Sequence, residues 1–336
     1  MILVLSTFLI VGLLVPQVRK IALRLNFVDK PNFQHKTHAE PVPYLGGVAI
    51  MIGITLVIYS ALLSQNNMRD NLVLASSVLI PSLLLGCVGL IDDRKALPPF
   101  PRFLAQSAAG GFTALLIVST DTTGNPTGRV WIDVMVTVVW IVGICNSINF
   151  FDNLDGGAAG TVATITFGLF LIAQQNGQLF ISSLSLTILG GVLGFLVWNK
   201  SPAKIYMGDA GSLFLGTLIG VLTVRLNPSV ESKLISFSIP ILLLAVPLLD
   251  TAVAILSRIR RGISIFQGGR DHLSHRLIRR GFTKKQAAAL LWTLSGIFVS
   301  IATTVAGNDL NHYPLITLSI VLWLFLLGVF LRSSHA

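Results

Sequence analysis

Charge is scarce in this sequence. Of its 336 residues only 11% are Asp, Glu, Lys or Arg, with 14 acidic, while 53% are hydrophobic. Soluble domains carry about 25% charged residues, so a water-facing globule and a disordered tail are both excluded. Cysteine is nearly missing as well. Cys87 and Cys145 each sit inside an apolar run, which leaves no disulfide framework and no thiolate metal site. Neither GxxxxGK[ST] nor GxGxxG occurs, so no nucleotide is held in either of those phosphate cradles. What is present points to lipid. The mean hydropathy is +0.79, and a net charge of +10 in so apolar a chain marks one side of a membrane rather than nucleic acid.

A helix needs about 20 mainly apolar residues to cross the hydrocarbon. Eleven such runs are readable, at about 2–18, 43–63, 72–91, 103–119, 131–150, 157–174, 179–198, 211–225, 235–257, 287–306 and 314–331. The expected fold is all-α: a polytopic membrane protein with about eleven transmembrane helices in a single domain, 1–336. The run at 2–18 has no basic residues ahead of it and no small-residue cleavage site, so it reads as a retained helix. With the N-terminus outside, twenty of the 24 Lys and Arg fall on the inner side, and only Arg69, Arg129, Arg225 and Lys233 lie outside. That asymmetry sets the N-terminus outside and the C-terminus in the cytoplasm. Inner connections then lie near 19–42, 92–102, 150–157, 199–210 and 258–286. The pairs Gly156–Gly160, Gly190–Gly194 and Gly216–Gly220 suit close helix–helix contact in lipid.

Eight of the 14 acids fall at inner ends or loops, where topology asks for cations and gives no reason for carboxylates. At the inner end of the third run stand Asp92 and Asp93, followed by Arg94 and Lys95. Adjacent carboxylates repel unless a cation neutralises them. The pair therefore fits either a Mg²⁺ site completed by substrate phosphates or a solvated helix end with its own counter-ions. A second cluster, Asn146, Asn149, Asp152, Asn153 and Asp155 before Gly156-Gly157, brings amides and carboxylates to helical spacing. If the helix continues, they share one face. Polar groups reaching into a span favour use over decoration. A third, Tyr206-Met207-Gly208-Asp209-Ala210-Gly211-Ser212, precedes the eighth run. The start of a helix is an anion site, and a carboxylate there suggests a divalent cation bridging Asp209 to a phosphate; a simple helix cap is the alternative.

The long inner loop holds Arg258, Arg260, Arg261, Arg270, Asp271, His272, His275 and Arg276. Two histidines three apart have a spacing that permits a metal, but without an HExxH partner they are a weak zinc signal; histidine and arginine together suit diphosphate oxygens. Taken alone, the loop reads as a topogenic one with incidental histidines. The N-terminal loop, with Asp29-Lys30-Pro31-Asn32, Lys36, His38, Pro41 and Pro43 before Gly46-Gly47, serves anion contact and topology alike.

In order, Asp-Lys-Pro-Asn…Pro-x-Pro-x-x-Gly-Gly, Asp92-Asp93, Asn-x-x-Asn-x-x-Asp-x-x-Asp-Gly, Tyr-Met-Gly-Asp-x-Gly-Ser and Arg-Asp-His-x-x-His-Arg resemble the polyprenyl-phosphate N-acetylhexosamine-1-phosphate transferases of the glycosyltransferase family 4 type. The resemblance runs from about Asp29 through Arg276. It implies transfer of a sugar 1-phosphate, most closely N-acetylglucosamine 1-phosphate, from a UDP-sugar to undecaprenyl (polyprenyl) phosphate. UMP is released with Mg²⁺ or Mn²⁺, at the cytoplasmic face of the inner (plasma) membrane, to start a lipid-linked cell-envelope glycan. It implies Asp209 as principal metal ligand with Asp155 beside it. Asp92 and Asp93 would attend the lipid phosphate and metal, and Asn149, Asp152 and Asp155 the uridine nucleotide, with Asn153 as a further substrate contact. His272, with catalytic weight, and His275 and Arg276 would meet the donor diphosphate, with Lys36 and His38 as further substrate contacts. A homodimer is compatible with it; nucleic acid is not a partner. The Pro-x-His-His-His run of the muramoyl-pentapeptide branch is absent, which ranks that branch second and a secondary transporter third. Ala96, Asn153 and Ser274 stand where the family more often has Asp or Lys, Gly and His.

Overall fold

The computed structural model describes residues 1–29, 42–63, 68–265, 269–307 and 312–332. Among them run thirteen helices: α1 (Ile2–Arg24), α2 (Gly46–Leu62), α3 (Met68–Lys95), α4 (Pro99–Ser119), α5 (Val130–Phe151), α6 (Gly157–Gln175), α7 (Leu179–Asn199), α8 (Gly208–Arg225), α9 (Lys233–Leu243), α10 (Ala245–Arg260), α11 (Leu273–Arg279), α12 (Lys284–Gly307) and α13 (Tyr313–Arg332). Two short strands, β1 (Val28–Asp29) and β2 (Val42–Pro43), pair antiparallel before α2. The all-α expectation holds. Lys36 and His38 lie outside the described residues.

Each apolar run of the sequence coincides with a helix, except 235–257, which is two. α9 and α10 bend by 75° at Leu244. Pro247 lacks the amide that would continue the ladder to Leu243, so the helix restarts with proline in its first turn, where the missing donor costs nothing. Eight helices (α1, α3 to α7, α12 and α13) are long and apolar enough to cross a bilayer, or nine spans with the bent pair as one. α2 is shorter, at 17 residues. The sequence did not reveal α11, a seven-residue helix inside the histidine loop.

α8 lies at the centre, packed by α2, α3 and α5. All of its residues except Asp209 and Val224 are buried. A helix surrounded on every side needs small residues where its neighbours cross. A Cβ on Gly216 would come within 2.8 Å of Cys145 Cα on α5. The same device seats α7 on α1, where Cβ atoms on Gly190 and Gly194 would meet the carbonyls of Val4 and Phe8 at 2.3 and 2.5 Å. Around this centre α1 and α13 turn rows of Leu, Val and Phe outward, among them Leu5, Leu9, Leu324 and Phe325, as a lipid-facing surface requires.

Candidate active site

α3 runs through Asp92 and Asp93 to Lys95 and stops where Ala96 takes a φ of 42°. Pro98 and Pro99 then start α4, whose first turn carries Arg102 back to the acids. Its Nη1 donates to Asp92 Oδ2 at 2.6 Å and reaches Asp209 Oδ2 at 3.4 Å. Asp92 Oδ1 accepts the Leu97 amide at 2.6 Å. α8 begins at Gly208, three residues before the run read from the sequence, so Asp209 sits in its first turn. The amides of Asp209 and Ala210 donate to Asp93 Oδ1 and Oδ2 at 2.8 and 3.1 Å. The anion site expected at this helix start is thus already filled, by a side chain of the protein.

α5 supplies Asn149, whose Nδ2 donates to Asp209 Oδ1 at 2.8 Å and to Ser212 Oγ at 2.9 Å. The helix does not continue to Asp155 as one shared face required. It ends at Phe151, and Asp152 turns off with φ −78° and ψ 58°. Asp152, Asn153 and Asp155 reach the site on that turn instead. Asn153 donates to the Phe150 carbonyl at 2.6 Å and accepts from Ser274 Oγ, which ties the turn to α11. Asp155 accepts the Ala203 amide at 3.3 Å and pairs with Lys284 Nζ at 3.5 Å. The amides of Gly46 and Gly47 donate to the carbonyls of Tyr206 and Met207, and the Tyr206 amide to the Pro43 carbonyl, each at 2.9 Å. That strap draws the start of α2 onto the start of α8.

The histidine loop is held from below by α10. Arg258 and Arg261 donate to Asp271 at 3.2 and 2.5 Å. Burial lifts the Asp271 carboxyl, but these two guanidiniums outweigh it and hold the group below the usual carboxylate range. Asp250, fully buried, meets His272 Nδ1 at 2.7 Å and accepts the Leu273 amide at 2.6 Å. Arg276 turns away from the pocket. It donates to the Asp271 carbonyl at 2.8 Å, the Phe330 carbonyl at 2.7 Å and Ser257 Oγ at 2.9 Å. Arg276 is therefore a strut joining α11 to α10 and α13, not a group presented to a diphosphate.

These elements enclose a pocket of about 860 Å³. Asp92, Asp93, Asp152, Asp155 and Asp209 line it, together with Asn153, Tyr44, Tyr206 and Arg102; the histidine loop, α11 and α12 contribute Arg270, His275, Arg279 and Lys284. Asn149, His272 and Arg276 stand outside this lining. Burial, then the carboxylates Asp93 and Asp155, push Asp152 up to about 7. Burial, then His272, presses His275 down to about 4, so its imidazole is neutral at physiological pH. Burial followed by Asp93 raises the Tyr44 phenol to about 12, which keeps its proton as a donor. Sequence reasoning passed over Tyr44, Arg102, Arg279 and Lys284 as site residues, and had Arg270 only as one of the histidine loop's cations. For Arg102 the signal was there, since the Pro98-Pro99 turn folds α4 straight back on the acidic pair.

Among the described residues no three His, Cys, Asp or Glu converge as a preformed metal site. Asp209 and Asp155, expected together at the metal, line the same pocket, where Asp155 pairs with Lys284 and accepts the Ala203 amide. The carboxylates that do meet are Asp92 and Asp209, around Arg102. Two hard oxygen donors in a pocket sized for phosphates fit Mg²⁺, which is usually held by one or two carboxylates plus substrate oxygens.

A family model, glycosyl transferase family 4, matches residues 75–227. A Bacillus subtilis (strain 168) protein named probable undecaprenyl-phosphate N-acetylglucosaminyl 1-phosphate transferase is 35% identical over 302 residues, which cover 87% of this chain and 81% of that one. The chain belongs to glycosyl transferase family 4. A Mycobacterium leprae decaprenyl-phosphate N-acetylglucosaminephosphotransferase is 30% identical, covering 87% and 80% of the two chains. A Yersinia pestis undecaprenyl-phosphate alpha-N-acetylglucosaminyl 1-phosphate transferase is 28% identical, covering 92% and 85%. These names agree with the N-acetylglucosamine branch read from the sequence; neither the muramoyl-pentapeptide branch nor a transporter is favoured. The segment matched to glycosyl transferase family 4 runs from within α3 to just past α8 and contains all five pocket carboxylates.

Proposed function

We propose that this family 4 protein transfers N-acetylglucosamine 1-phosphate from its UDP-sugar to undecaprenyl or another polyprenyl phosphate, releasing UMP and opening a lipid-linked envelope glycan. One observation carries the reading: carboxylates from α3, α8 and the α5–α6 turn share a single pocket with cations from the histidine loop, α11 and α12, at the ends of apolar helices. Such a place lets a lipid phosphate meet a water-soluble diphosphate. The count of basic residues supports a pocket on the cytoplasmic side of the plasma membrane, an outer N-terminus and eleven crossings.

In the reaction a non-bridging oxygen of the lipid phosphate attacks the sugar-bearing phosphorus of the donor. The bond from that phosphorus to the UMP oxygen breaks, and UMP leaves with the electron pair. The nucleophile is already ionised, so the protein contributes alignment and charge balance rather than a strong base. Arg270, Arg279 and Lys284 offer the donor diphosphate its counter-charge, while His275, neutral, offers a hydrogen bond without adding charge. Asp92 and Asp209 would hold Mg²⁺ or Mn²⁺, which when bound neutralises the crowded phosphates. Asn149 fixes the rotamer of Asp209 for that task.

Purified protein incubated with undecaprenyl phosphate, Mg²⁺ and a panel of UDP-sugars is expected to release UMP, most rapidly from UDP-N-acetylglucosamine, and to stop on chelation. Asp209→Asn is expected to remain folded and silent. No UMP from any donor overturns the reading. A phospho-enzyme trapped on Asp92 or Asp93 with donor alone overturns the direct route in favour of two displacements.

A further inference from the structure

We propose that Asp93 is a positioning residue, which fixes Asp209 through its backbone and touches neither metal nor phosphate; this rests on the transferase reading above and deepens it. Asp93 borders the pocket, yet both of its oxygens are committed, one to the amide of Asp209 at 2.8 Å and one to the amide of Ala210 at 3.1 Å. A carboxylate laid across two amides at a helix start makes charge-assisted bonds and sits at the positive end of the helix dipole. The surrounding chain is built to admit it. Gly208 has a φ of 72°, and a Cβ there would stand 2.6 Å from Asp93 Oδ2. One turn before Asp93 on the same face of α3, Gly89 lies so close that its Cβ would meet the Asp209 carbonyl oxygen at 2.3 Å. α3 therefore grips the Asp209 peptide on both sides, glycine against its carbonyl and carboxylate on its amide. With the backbone held and Asn149 on Oδ1, the Asp209 side chain is left one direction to point. The same grip keeps phosphate off these amides, so substrate is held elsewhere in the pocket.

The test uses full-length protein in lipid nanodiscs, with Asp93→Ala and Asp93→Asn. Hydrogen exchange over residues 205–212 and steady-state kinetics are read with and without formate and nitrate. Nitrate has the shape and charge of a carboxylate but negligible basicity and little affinity for Mg²⁺. For Asp93→Ala the amides of Asp209 and Ala210 exchange faster, and kcat falls by about 10–100-fold, the range for supporting residues one step removed from a ligand, with KM for both substrates little changed. Either anion restores protection and much of kcat. Asp93→Asn, which fills the same space with one acceptor in place of two, loses activity similarly and gains nothing from added anion, and it serves if the alanine variant does not fold. Rescue by formate alone, no rescue with a loss as complete as that of Asp209→Asn, or unchanged exchange in Asp93→Ala each overturns the proposal. If the wild type itself releases no UMP, the transferase reading fails, while exchange and its restoration by nitrate still decide the role of Asp93.

Discussion

Asp152 shows how a single residue registers the pocket's crowding. Burial and two neighbouring carboxylates lift its carboxyl from 3.8 to about 7. The folded protein thus holds this proton more tightly than the unfolded chain does. Folding gains from it fully below about pH 4, and the gain is lost as pH rises through about 7. Asp152→Asn removes that titration. Thermal unfolding from about pH 5 to 8 should show the wild type losing stability relative to the variant as pH rises; parallel curves would contradict the placement of Asp152 among Asp93 and Asp155. At the same scale, residue type misled at Arg276. Its neighbours His272 and His275 suggest anion binding, but the side chain is buried and each of its three nitrogens donates to an internal acceptor, and that could be learned only from where α10 and α13 lie.

At the scale of elements, the site depends on how closely α2 and α3 approach α8. Gly47 is the tightest point, since a Cβ would lie 2.2 Å from the Gly211 amide nitrogen and 2.4 Å from its Cα, backbone that has nowhere to go. Gly47→Ala is expected to cost about 1–3 kcal/mol through overpacking and to depress activity with it, by spreading the helix starts that the Tyr206 strap holds together. Gly143→Ala is the control, because nothing lies within 4 Å of its Cβ position; it should leave the unfolding midpoint and UMP release near wild type. Equal effects from the two would mean that α2 and α8 are not packed as described. Existence and rough limits of the apolar helices were legible in hydropathy alone, whereas the short α11 was not. The breaks at Phe151, before Gly208 and at Leu244 were not, since turns inside long apolar or mixed stretches leave no compositional mark.

At the scale of the whole molecule, the asymmetry of the basic residues makes the proposed orientation testable. In a background with Cys87→Ser and Cys145→Ala, Lys200→Cys is expected to react with a membrane-impermeant maleimide only from the cytoplasmic side, and Ser229→Cys only from outside. Both positions are exposed. Labelling of the two from one side would overturn the assignment of the pocket to the cytosolic face. The pocket's own balance belongs to this scale too, because five carboxylates face four Lys and Arg. A dianionic lipid phosphate beside a diphosphate needs an added cation there, so removal of divalent ions should abolish turnover while leaving the fold intact, read by activity and by thermal unfolding together.

The amino-acid sequence alone made legible that this chain lives in lipid, is helical, and keeps most of its rare acids at the ends of apolar runs or in the loops between them. Hydropathy and charge act locally and additively along the chain, so they can be read residue by residue. It also determined the family resemblance, because the motifs survive in order. Which acids meet is set by how helices far apart in the chain pack together. Asp92 faces Asp209 across Arg102, Asp93 is spent on a helix start, and Asp155 pairs with Lys284. Those partners are separated by 10 to 129 positions in the chain, and a carboxylate's role is set by the donor that reaches it first in space.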